Sequence, residues 1–386
     1  MISTQPPELG AACRDLWLLK WERTYLNHGS FGAAPKPVLA RQSLWRERME
    51  SDLFGFIAQV LPKATRDAAS ILAAFAGAKG PDLAFVDNAT TGCNAVLNSL
   101  SLKPGDEILV TNHGYGAVHK AARHVAERAG ARVAVADIPF PLSGEDEIIE
   151  RVRSCLGPQT RLAVFDHVTS PTAAVFPVRE LTAHCHEAGV KVLIDGAHAP
   201  GMLTLDIPAI GADWYVGNCH KWLMAPKGAG FLWAAPDAQA HLHPTAISHG
   251  YGEGFLAEFD WTGTRDPSAF LSVPDAIHFH EALGGMALRR RNRALVLEAA
   301  DFLARSWGTA IGAPAALTGS MSTIRLPLDR KGDQAEADKL RHELYTHHRI
   351  DVQTLPFSGA LWARISAQAY NEFRDYERLA EIIGKF

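Results

Sequence analysis

Between residues 82 and 234, short apolar segments alternate with longer segments that have the periodicity of amphipathic helices. The predicted strands cover residues 83–86, 107–111, 132–136, 162–166, 191–194, 214–216 and 230–234. The predicted helices cover residues 91–101, 117–129, 145–156 and 178–188. Several of these strands are apolar throughout, which is typical of a sheet that is covered on both faces. The pattern therefore predicts an α/β domain with a mostly parallel sheet.

The rest of the chain has a different pattern. Residues 237–275 show no clear periodicity and are predicted to form long loops, which in a compact enzyme are often functional. Residues 273–305 are predicted to be helical, and a smaller α+β unit follows, with strands at 320–328, 350–355 and 361–366 and helices at 333–347 and 372–383. We therefore predict a large domain at residues 21–270, a small C-terminal domain at 271–386, and an N-terminal segment at 1–20 that packs on the small domain.

Composition and charge restrict the class of partner. The net charge of -4 argues against a nucleic-acid partner, and no apolar stretch is long enough to span a membrane. The N-terminus lacks the pattern of a secretory signal. The five cysteines are scattered and form no CxxC pair, which favours reduced thiols in a cytoplasmic protein. No metal site is expected, because the loop residues His241, His243 and His249 lack carboxylates or cysteines at ligand spacing.

Two polar residues at strand ends carry the strongest chemical signal. Asp195 directly follows the apolar strand 191–194, and Lys221 lies shortly after the strand 214–216, within Gly-Asn-Cys-His-Lys-Trp. Ligands of open α/β sheets bind beyond the carboxyl ends of the strands. Pyridoxal phosphate (PLP) requires a lysine that forms a Schiff base and a carboxylate that keeps the pyridine nitrogen protonated. The pair therefore indicates a PLP site, and a salt bridge from Asp195 to an arginine is the simpler alternative.

Other polar segments follow strands at the same edge of the predicted sheet. The segment Asn88-Ala89-Thr90-Thr91-Gly92 opens a helix and suits a phosphate, although an ordinary N-cap explains it equally well. Tyr115 is the preferred aromatic side chain for stacking on a flat cofactor, and His113 is the second choice. Either ring could instead pack on its own helix.

Hydroxyl and imidazole groups complete the candidate set. Thr169, Ser170 and Thr172 follow the strand 162–166, and any of them could hydrogen-bond the cofactor phenolate oxygen or the substrate, or only cap the loop. His198 is interpreted as a cofactor contact near the ring, with a buried core histidine as the alternative. His220, which precedes Lys221, is predicted to hydrogen-bond the phosphate.

Taken in order, these segments resemble class V of the fold-type I PLP enzymes, the aminotransferase and cysteine desulfurase superfamily, and within it the isopenicillin N epimerase-like branch. The resemblance implies the aspartate aminotransferase-like fold of PLP-dependent transferases, with a seven-stranded, mostly parallel sheet and a smaller α+β C-terminal domain. The matching segments are Tyr25-Leu26-Asn27-His28-Gly29-Ser30-Phe31-Gly32, Asn88-Ala89-Thr90-Thr91, Asp166-His167-Val168-Thr169-Ser170-Pro171-Thr172, Asp195-Gly196-Ala197-His198-Ala199, Gly217-Asn218-Cys219-His220-Lys221-Trp222, Gly263-Thr264-Arg265-Asp266 and Arg364-Ile365-Ser366.

The resemblance implies a role for each matching residue. The predicted catalytic residues are Lys221, the Schiff-base lysine, Asp195, the partner of the pyridine nitrogen, and His198. Thr264 would reach the phosphate of the neighbouring subunit, so a homodimer with a shared active site is expected. Asn27, His28 and Arg364 are predicted to bind the substrate, with Arg364 as the carboxylate anchor. The predicted cofactor-binding residues are Thr90, Thr91, Tyr115, Thr169, Asp195, His198, Asn218, His220, Lys221 and Thr264.

One departure from the family narrows the reaction. Cysteine desulfurases of this class carry a catalytic cysteine on a loop in the C-terminal third, whereas this chain has no cysteine after Cys219. Persulfide transfer through such a cysteine is therefore disfavoured. We expect a PLP-dependent enzyme that acts at Cα of an amino acid, either an epimerase or racemase, with His28 or Tyr115 as a second acid/base, or a C–S β-lyase. A class V aminotransferase is the alternative reaction, and a PLP-binding sensor is the alternative without catalysis.

Overall fold

The computed structural model describes residues 8–386, so the first seven residues of the predicted N-terminal segment lie outside the described part. The strands are β1 Thr24–Tyr25, β2 Leu83–Val86, β3 Glu107–Thr111, β4 Arg132–Ala136, β5 Thr160–Asp166, β6 Lys191–Gly196, β7 Trp214–Asn218, β8 Gly230–Ala234, β9 Met321–Arg325, β10 Ile350–Asp351, β11 Gln353–Phe357 and β12 Ala360–Ser366. The α-helices are α1 His28–Phe31, α2 Lys36–Ser51, α3 Leu53–Gly55, α4 Leu61–Phe75, α5 Ala89–Asn98, α6 Gly116–Ala129, α7 Glu145–Cys155, α8 Val178–Glu187, α9 Ile207–Ile210, α10 Phe255–Asp260, α11 Ser268–Leu271, α12 Val273–Ala282, α13 Met286–Trp307, α14 Gln334–Thr346 and α15 Phe373–Ile383.

A seven-stranded sheet with the order β2-β8-β7-β6-β5-β3-β4 forms the centre of the larger unit. Strand β8 runs antiparallel to both of its neighbours, and the pairs among β3 to β7 are parallel. Apolar residues of α5, α6 and α10 cover one face of the sheet, and those of α4, α7, α8 and α12 cover the other. Two covered faces explain why strands such as β3 and β7 are buried along their whole length. The predicted fold class is confirmed.

The start of α5 is held against the carboxyl ends of the strands by side-chain size and by capping. A Cβ atom at Gly92 would lie only 2.7 Å from Cγ1 of Val216 on β7, so the helix packs too closely for a larger residue. The Asn88 side chain accepts a hydrogen bond from the Thr91 N–H at 2.9 Å and caps the helix. The first turn of α5 is thereby fixed at the edge where ligands of such sheets bind.

The smaller unit is built from both ends of the chain. Its antiparallel sheet has the order β11-β12-β9 and packs with α13, α14 and α15 around its own apolar core. Strand β1 pairs in parallel with β10, which joins residues near the N-terminus to this unit. The Gly10 N–H donates to the Ala369 carbonyl at 2.7 Å, so the described part of the N-terminal segment also contacts the small unit. The division at residues 20 and 270 stays a prediction.

Several elements differ from the sequence-based expectation. The predicted helix 273–305 is two helices, α12 and α13, because Gly284 and Gly285 adopt positive φ angles of 109° and 51° that interrupt it. The predicted strand 350–355 is divided between β10 and β11. The long loop region 237–275 contains the short helices α10 and α11.

Three general features bear on function. Residues 8–386 contain no helix with the length and apolar character needed to cross a membrane. Within the same residues, no group of three or more histidine, cysteine, aspartate or glutamate side chains is placed to hold a metal ion. All five cysteines are free thiols, and four of them are buried.

Candidate active site

A cavity of about 540 Å³ opens at the carboxyl ends of β5, β6 and β7, within the size range of small-molecule sites. The structure brings most of the predicted cofactor-binding residues to its wall. The lining residues are Ser30, Phe31, Asn88, Ala89, Thr90, Thr91, Tyr115, Ala117, Asp166, Ser170, Asp195, Ala197, His198, Asn218, His220 and Lys221.

Lys221 and His198 form a hydrogen-bonded pair at the cavity. The Lys221 Nζ atom lies 3.1 Å from Nε2 of His198, and the indole N–H of Trp222 donates to Nδ1 of His198 at 3.3 Å. An indole N–H can only donate, so Nδ1 accepts and a neutral His198 carries its proton on Nε2. The Nε2–H group points at Lys221, whose amine can accept this hydrogen bond only when the amine is neutral.

The electrostatic environment shifts both groups towards their neutral forms. Burial lowers the pKa of Lys221 to about 8, although the negative charge of Asp195 opposes this shift. Burial, together with the charges of Lys221 and Arg364, holds the pKa of His198 well below its ordinary value. A neutral, buried amine next to an imidazole is a nucleophile that can condense with an aldehyde.

Two carboxyl groups lie side by side at the ends of adjacent strands. Asp166 is the last residue of β5, and it pairs in parallel register with Asp195 on β6. The Asp195 carboxylate accepts the Ala197 N–H at 3.0 Å. Neither carboxylate has a cationic side chain within 4.0 Å among residues 8–386. The salt bridge of Asp195 to an arginine, the simpler alternative, is therefore absent from the described part of the chain.

Polar groups also converge at the first turn of α5. The Asn218 side chain accepts the Ala89 N–H at 2.8 Å, and Thr90 and Thr91 line the cavity beside it. His220 places Nδ1 3.0 Å from the Ala229 carbonyl, which can only accept, so this nitrogen carries a proton. Burial lowers the pKa of His220 to about 4. Its Nε2 atom would therefore donate to a phosphate only if the negative charge of the phosphate keeps the ring protonated.

For two of the predicted cofactor contacts, the structure shows which candidate residue lines the cavity. Tyr115 lines the cavity, whereas His113 is buried behind it, with its ring nitrogens near Thr172 Oγ1 at 2.7 Å and the Ile138 carbonyl at 3.1 Å. Ser170 lines the cavity, whereas Thr169 is buried and bonded to Thr172 and to the Ala174 backbone. The Thr169 hydroxyl holds the loop together, and its contact with the cofactor stays a prediction.

Arg364 lies just behind the cavity wall and is the buried guanidinium of the site. It donates to the Ser170 carbonyl and, at 2.9 Å, to the Ser30 hydroxyl, and these two residues line the cavity. Ser30 in turn donates to Asn27 Oδ1 at 2.5 Å, and the Asn27 amide donates to Asp351 at 3.0 Å. Asn27 thus reaches the cavity only through Ser30, and burial lowers the pKa of Arg364 to about 10.

Two predicted residues lie away from the cavity wall. His28 is fully buried, with Nε2 3.1 Å from the Lys221 carbonyl and Nδ1 2.7 Å from the Tyr370 hydroxyl. Burial lowers its pKa to about 3, so it is a neutral group that packs behind the Lys221 backbone rather than a wall residue. Thr264 is exposed and does not line the cavity of its own chain.

The residues present fit PLP. A buried amine with a lowered pKa, a buried carboxylate without an ion-pair partner, an aromatic wall residue and a helix N-terminus with hydroxyl groups surround one cavity. Lys221 would hold the aldehyde carbon, Asp195 the pyridine nitrogen, and Thr90, Thr91 and His220 the phosphate.

Comparisons with known proteins agree with this fit. The model of the aminotransferase class-V family matches residues 55–353. Putative L-cysteine desulfhydrase 1 of Oryza sativa subsp. japonica is 36% identical, over 93% of this chain and 82% of its own length. The isopenicillin N epimerase of Amycolatopsis lactamdurans is also 36% identical, over 93% of this chain and 94% of its own length. The solved structure of the cystine C–S lyase C-DES covers 94% of this chain and 98% of that chain, with a TM-score of 0.79 and 22% identity.

Fold and site together define a PLP-dependent enzyme that acts on amino acids. The chain belongs to the aminotransferase class-V family. The resemblance drawn from the sequence motifs is thereby confirmed, as is the cofactor.

The sequence motifs missed some residues of the cavity wall. Asp166 was noted only as the end of a strand, although it lies beside Asp195. Ser30 and Phe31 were seen only as parts of a motif. Asp166 was detectable in principle, because a carboxylate that ends an apolar strand is as unusual there as it is at position 195.

Proposed function

We propose that this protein is a PLP-dependent C–S β-lyase that cleaves L-cysteine or a related β-thio amino acid. PLP, when bound, is an electron sink that acidifies the Cα proton of an amino-acid substrate. Arg364 binds the substrate carboxylate, with Ser30 and Ser170 holding the guanidinium in place. Lys221 then removes the Cα proton, with His198 Nε2 3.1 Å from its amine.

The balance of the proposed reaction requires one water molecule. The Cα–H and Cβ–S bonds of L-cysteine break, and the bonding pair of Cβ–S leaves with sulfur. Lys221 returns a proton to the sulfur, which departs as hydrogen sulfide. Water hydrolyses the remaining three-carbon amine to pyruvate and ammonia. No oxidant or reductant is consumed.

The observation that carries the proposal is the set of acid/base groups on the cavity wall. The titratable side chains there are Tyr115, Asp166, Asp195, His198, His220 and Lys221. With Asp195 at the pyridine nitrogen and His220 at the phosphate, the Lys221–His198 pair is the base beside Cα. β-Elimination needs one such base, since the same amine accepts the Cα proton and gives it to sulfur. The plant desulfhydrase at 36% identity supports the same reaction.

Epimerisation is the second candidate function. It needs a further acid/base on the opposite side of Cα, and Tyr115, which lines the cavity with 43% of its surface exposed, is the residue available. His28, the other sequence-based candidate, is buried behind Lys221 and is less suited. The isopenicillin N epimerase at 36% identity supports this alternative.

One experiment separates the candidate reactions. The purified protein is incubated in deuterated water with a panel of L-amino acids that includes L-cysteine and cysteine conjugates. We expect equal amounts of pyruvate and ammonia, with sulfide or thiol, and we expect none of these from the Lys221→Ala variant. Deuterium at Cα with inverted configuration would show an epimerase instead. Accumulated pyridoxamine phosphate would show an aminotransferase, and a yellow protein that changes no substrate would show a sensor.

We also infer that the active enzyme is a cytoplasmic homodimer. Thr264 is exposed and lies outside the cavity of its own chain, as expected of a residue that reaches the phosphate in the partner's site. Phe31 lines the cavity and yet has 69% of its surface exposed, and Leu53 and Phe54 are 54% and 78% exposed on the same chain. Apolar side chains with this exposure are typical of a subunit interface.

Subunit complementation tests the dimer and the shared site together. A Lys221→Ala chain is co-expressed with a Thr264→Ala chain that carries a different affinity tag, and the mixed dimer is isolated through both tags. We expect the mixed dimer to regain one site with the PLP affinity of the wild type, because it combines an intact Lys221 with an intact Thr264. A monomer by light scattering, or a mixed dimer no better than the Thr264→Ala homodimer, would contradict the shared site.

A further inference from the structure

A second carboxyl group lies beside the predicted partner of the pyridine nitrogen. Asp166 and Asp195 end neighbouring parallel strands and stand in register, so their side chains leave the same face of the sheet. Both line the cavity, and their side chains are otherwise buried, with 6% and 2% of the residue surface exposed. One pyridine nitrogen needs only one carboxylate, and the proposed reaction gives Asp166 no role.

The groups around the two carboxyls cannot neutralise two negative charges. Lys221 faces them from the loop after β7, and because burial lowers its pKa to about 8 it offsets at most one of the two charges. Arg364 on β12, whose charge acts on Lys221, donates to Ser30 and Ser170 and to neither carboxyl group. The other titratable neighbours are the Cys93 thiol from α5 and the Tyr215 hydroxyl from β7, neither of which carries a positive charge.

Two buried carboxylates in contact with no cation cannot both stay ionised, because the second negative charge has neither solvent nor a partner. We infer that the Asp166–Asp195 pair holds one negative charge, with the proton on Asp166, and that Asp166 is a positioning residue for the Asp195 carboxylate. Asp195 is the ionised member because it is the predicted partner of the pyridine nitrogen and accepts the Ala197 N–H at 3.0 Å, whereas the backbone hydrogen bonds from Tyr115 and Ser170 to Asp166 are outweighed by its burial beside that charge. Burial and the neighbouring charge of Asp195 both raise the pKa of Asp166 well above its ordinary value.

The single charge has a consequence for the cofactor site. One negative charge matches one protonated pyridine nitrogen, so the filled site is neutral at that end. A second negative charge would stabilise the ammonium form of Lys221 and would withdraw the neutral amine that binds the cofactor. A protonated Asp166 therefore shifts Lys221 towards its reactive, neutral form. The inference depends on the cofactor and does not depend on which reaction follows.

Infrared spectroscopy of the PLP-loaded full-length protein at neutral pH tests where the proton lies. We expect a C=O stretching band of a buried protonated carboxyl group in the wild type that is lost in Asp166→Asn, where Asp195 alone carries the single charge. The matched control is Glu107→Gln, a buried carboxylate at the other end of the sheet that is paired with Arg132 and should leave the band unchanged. A band lost in Asp195→Asn and kept in Asp166→Asn would put the proton on Asp195 and overturn the inference. So would the absence of any difference between the wild type and Asp166→Asn.

PLP affinity provides a second readout. Asparagine copies the shape and neutrality of a protonated aspartate, so Asp166→Asn should bind PLP within about threefold of the wild type at neutral pH. Asp195→Asn removes the only charge of the pair and should weaken PLP binding by at least about tenfold. Equal weakening in the two variants would show that both carboxylates are ionised and would contradict the inference. If Asp166→Asn does not fold, the wild-type band and the PLP affinity of Asp195→Asn still decide: the absence of the band, or binding by Asp195→Asn within about threefold of the wild type, would contradict the inference.

Discussion

The buried carboxyl groups at the two ends of the central sheet differ in whether they form ion pairs. At the amino ends of the strands, Asp106 pairs with Arg161 at 2.8 Å and Glu107 pairs with Arg132 at 2.8 Å. Glu107 also accepts the Thr160 hydroxyl at 2.8 Å. At the carboxyl ends, Asp166 and Asp195 are just as buried as Glu107 and yet have no cation within 4.0 Å among the described residues.

We interpret the paired carboxylates at the amino ends as groups that stabilise the fold, and the unpaired ones at the carboxyl ends as groups placed to bind a ligand. A buried charge that is paired in the folded protein is satisfied by the protein itself. A buried charge without a partner raises the free energy of the folded state, and such groups concentrate where a ligand supplies the missing partner. The contrast makes five predictions, in which variants at the carboxyl ends change chemistry and variants at the amino ends change stability at most.

The largest effect is expected for Lys221→Ala. Removal of the amine takes away both the covalent attachment of the cofactor and the base beside Cα, so turnover should fall by about 10³-fold or more. Borohydride reduction followed by mass spectrometry should label the wild type at Lys221 and leave the variant unlabelled. Lys191→Ala is the control, since this lysine starts β6 at the opposite end and packs on Trp214. A labelled, active Lys221→Ala protein would refute the assignment.

Arg364→Lys should produce the next largest effect. Lysine keeps the charge but loses the planar pair of donors that a carboxylate requires, so KM for the amino acid should rise about 10- to 100-fold. The kcat value should change less, because the Lys221–His198 pair is untouched. Steady-state kinetics check this, with Arg161→Lys at the amino ends as a control that leaves KM unchanged. A variant in which only kcat falls would show that Arg364 does not bind the substrate carboxylate.

The pH dependence of cofactor capture should report the lowered pKa of Lys221. Only the neutral amine reacts with the aldehyde, and burial lowers the pKa of Lys221 from its ordinary value of 10.5 to about 8. The rate of PLP uptake by the apoprotein should therefore rise about tenfold per pH unit below 8 and level off above it. Stopped-flow absorbance measures this rate. A rise that continues to pH 10 would mean that the amine titrates as an ordinary lysine.

Ser30→Ala should have a smaller effect on the same step as Arg364. The variant removes the hydroxyl that accepts from Arg364 at 2.9 Å and leaves the guanidinium with its bond to the Ser170 carbonyl. KM should rise about three- to tenfold, which corresponds to one hydrogen bond. Ser43→Ala on α2, where the hydroxyl is exposed, is the matched control. An unchanged KM would show that Arg364 needs no support from Ser30.

The smallest effect is expected at the amino ends. Glu107→Gln breaks the ion pair with Arg132, but that arginine is 68% exposed and solvent screens most of the interaction. The free energy of unfolding should fall by about 1 kcal/mol, as judged by urea denaturation, with kcat and KM unchanged. A loss of activity without a loss of stability would mean that the charge of Glu107 also influences the active site.

The sequence predicted the elements whose signal is local. Seven strands and the helices between them appear where the apolar pattern indicated, because burial on both faces leaves that pattern in each strand. Asp195 and Lys221 were predicted for the same reason, since a polar residue that ends an apolar strand stands out. Their convergence on one cavity followed from the rule for parallel sheets.

The features that were missed depend on contacts between distant segments. Thr169 and Ser170 are neighbours in sequence, and only the folded loop shows that one is buried and the other lines the cavity. The place of Asn27 behind Ser30 is set by Asp351, a residue of the small unit. The roles of Thr264 and of the other predicted site residues stay predictions until variants are measured.

The pairing of β1 with β10 has a consequence for the order in which the protein matures during synthesis. Thr24 lies beside Ile350, and Arg364 on β12 contacts Ser30 on α1, the helix that follows β1. Residues 24–30 are synthesised early and residues 350–364 late. The first segment can therefore make these contacts only after nearly the whole chain has been translated. The central sheet can form while the rest of the chain is still being translated, which brings Asp195 and Lys221 into position. The predicted pocket for the substrate carboxylate is therefore expected to form last, after the residues predicted to hold the cofactor.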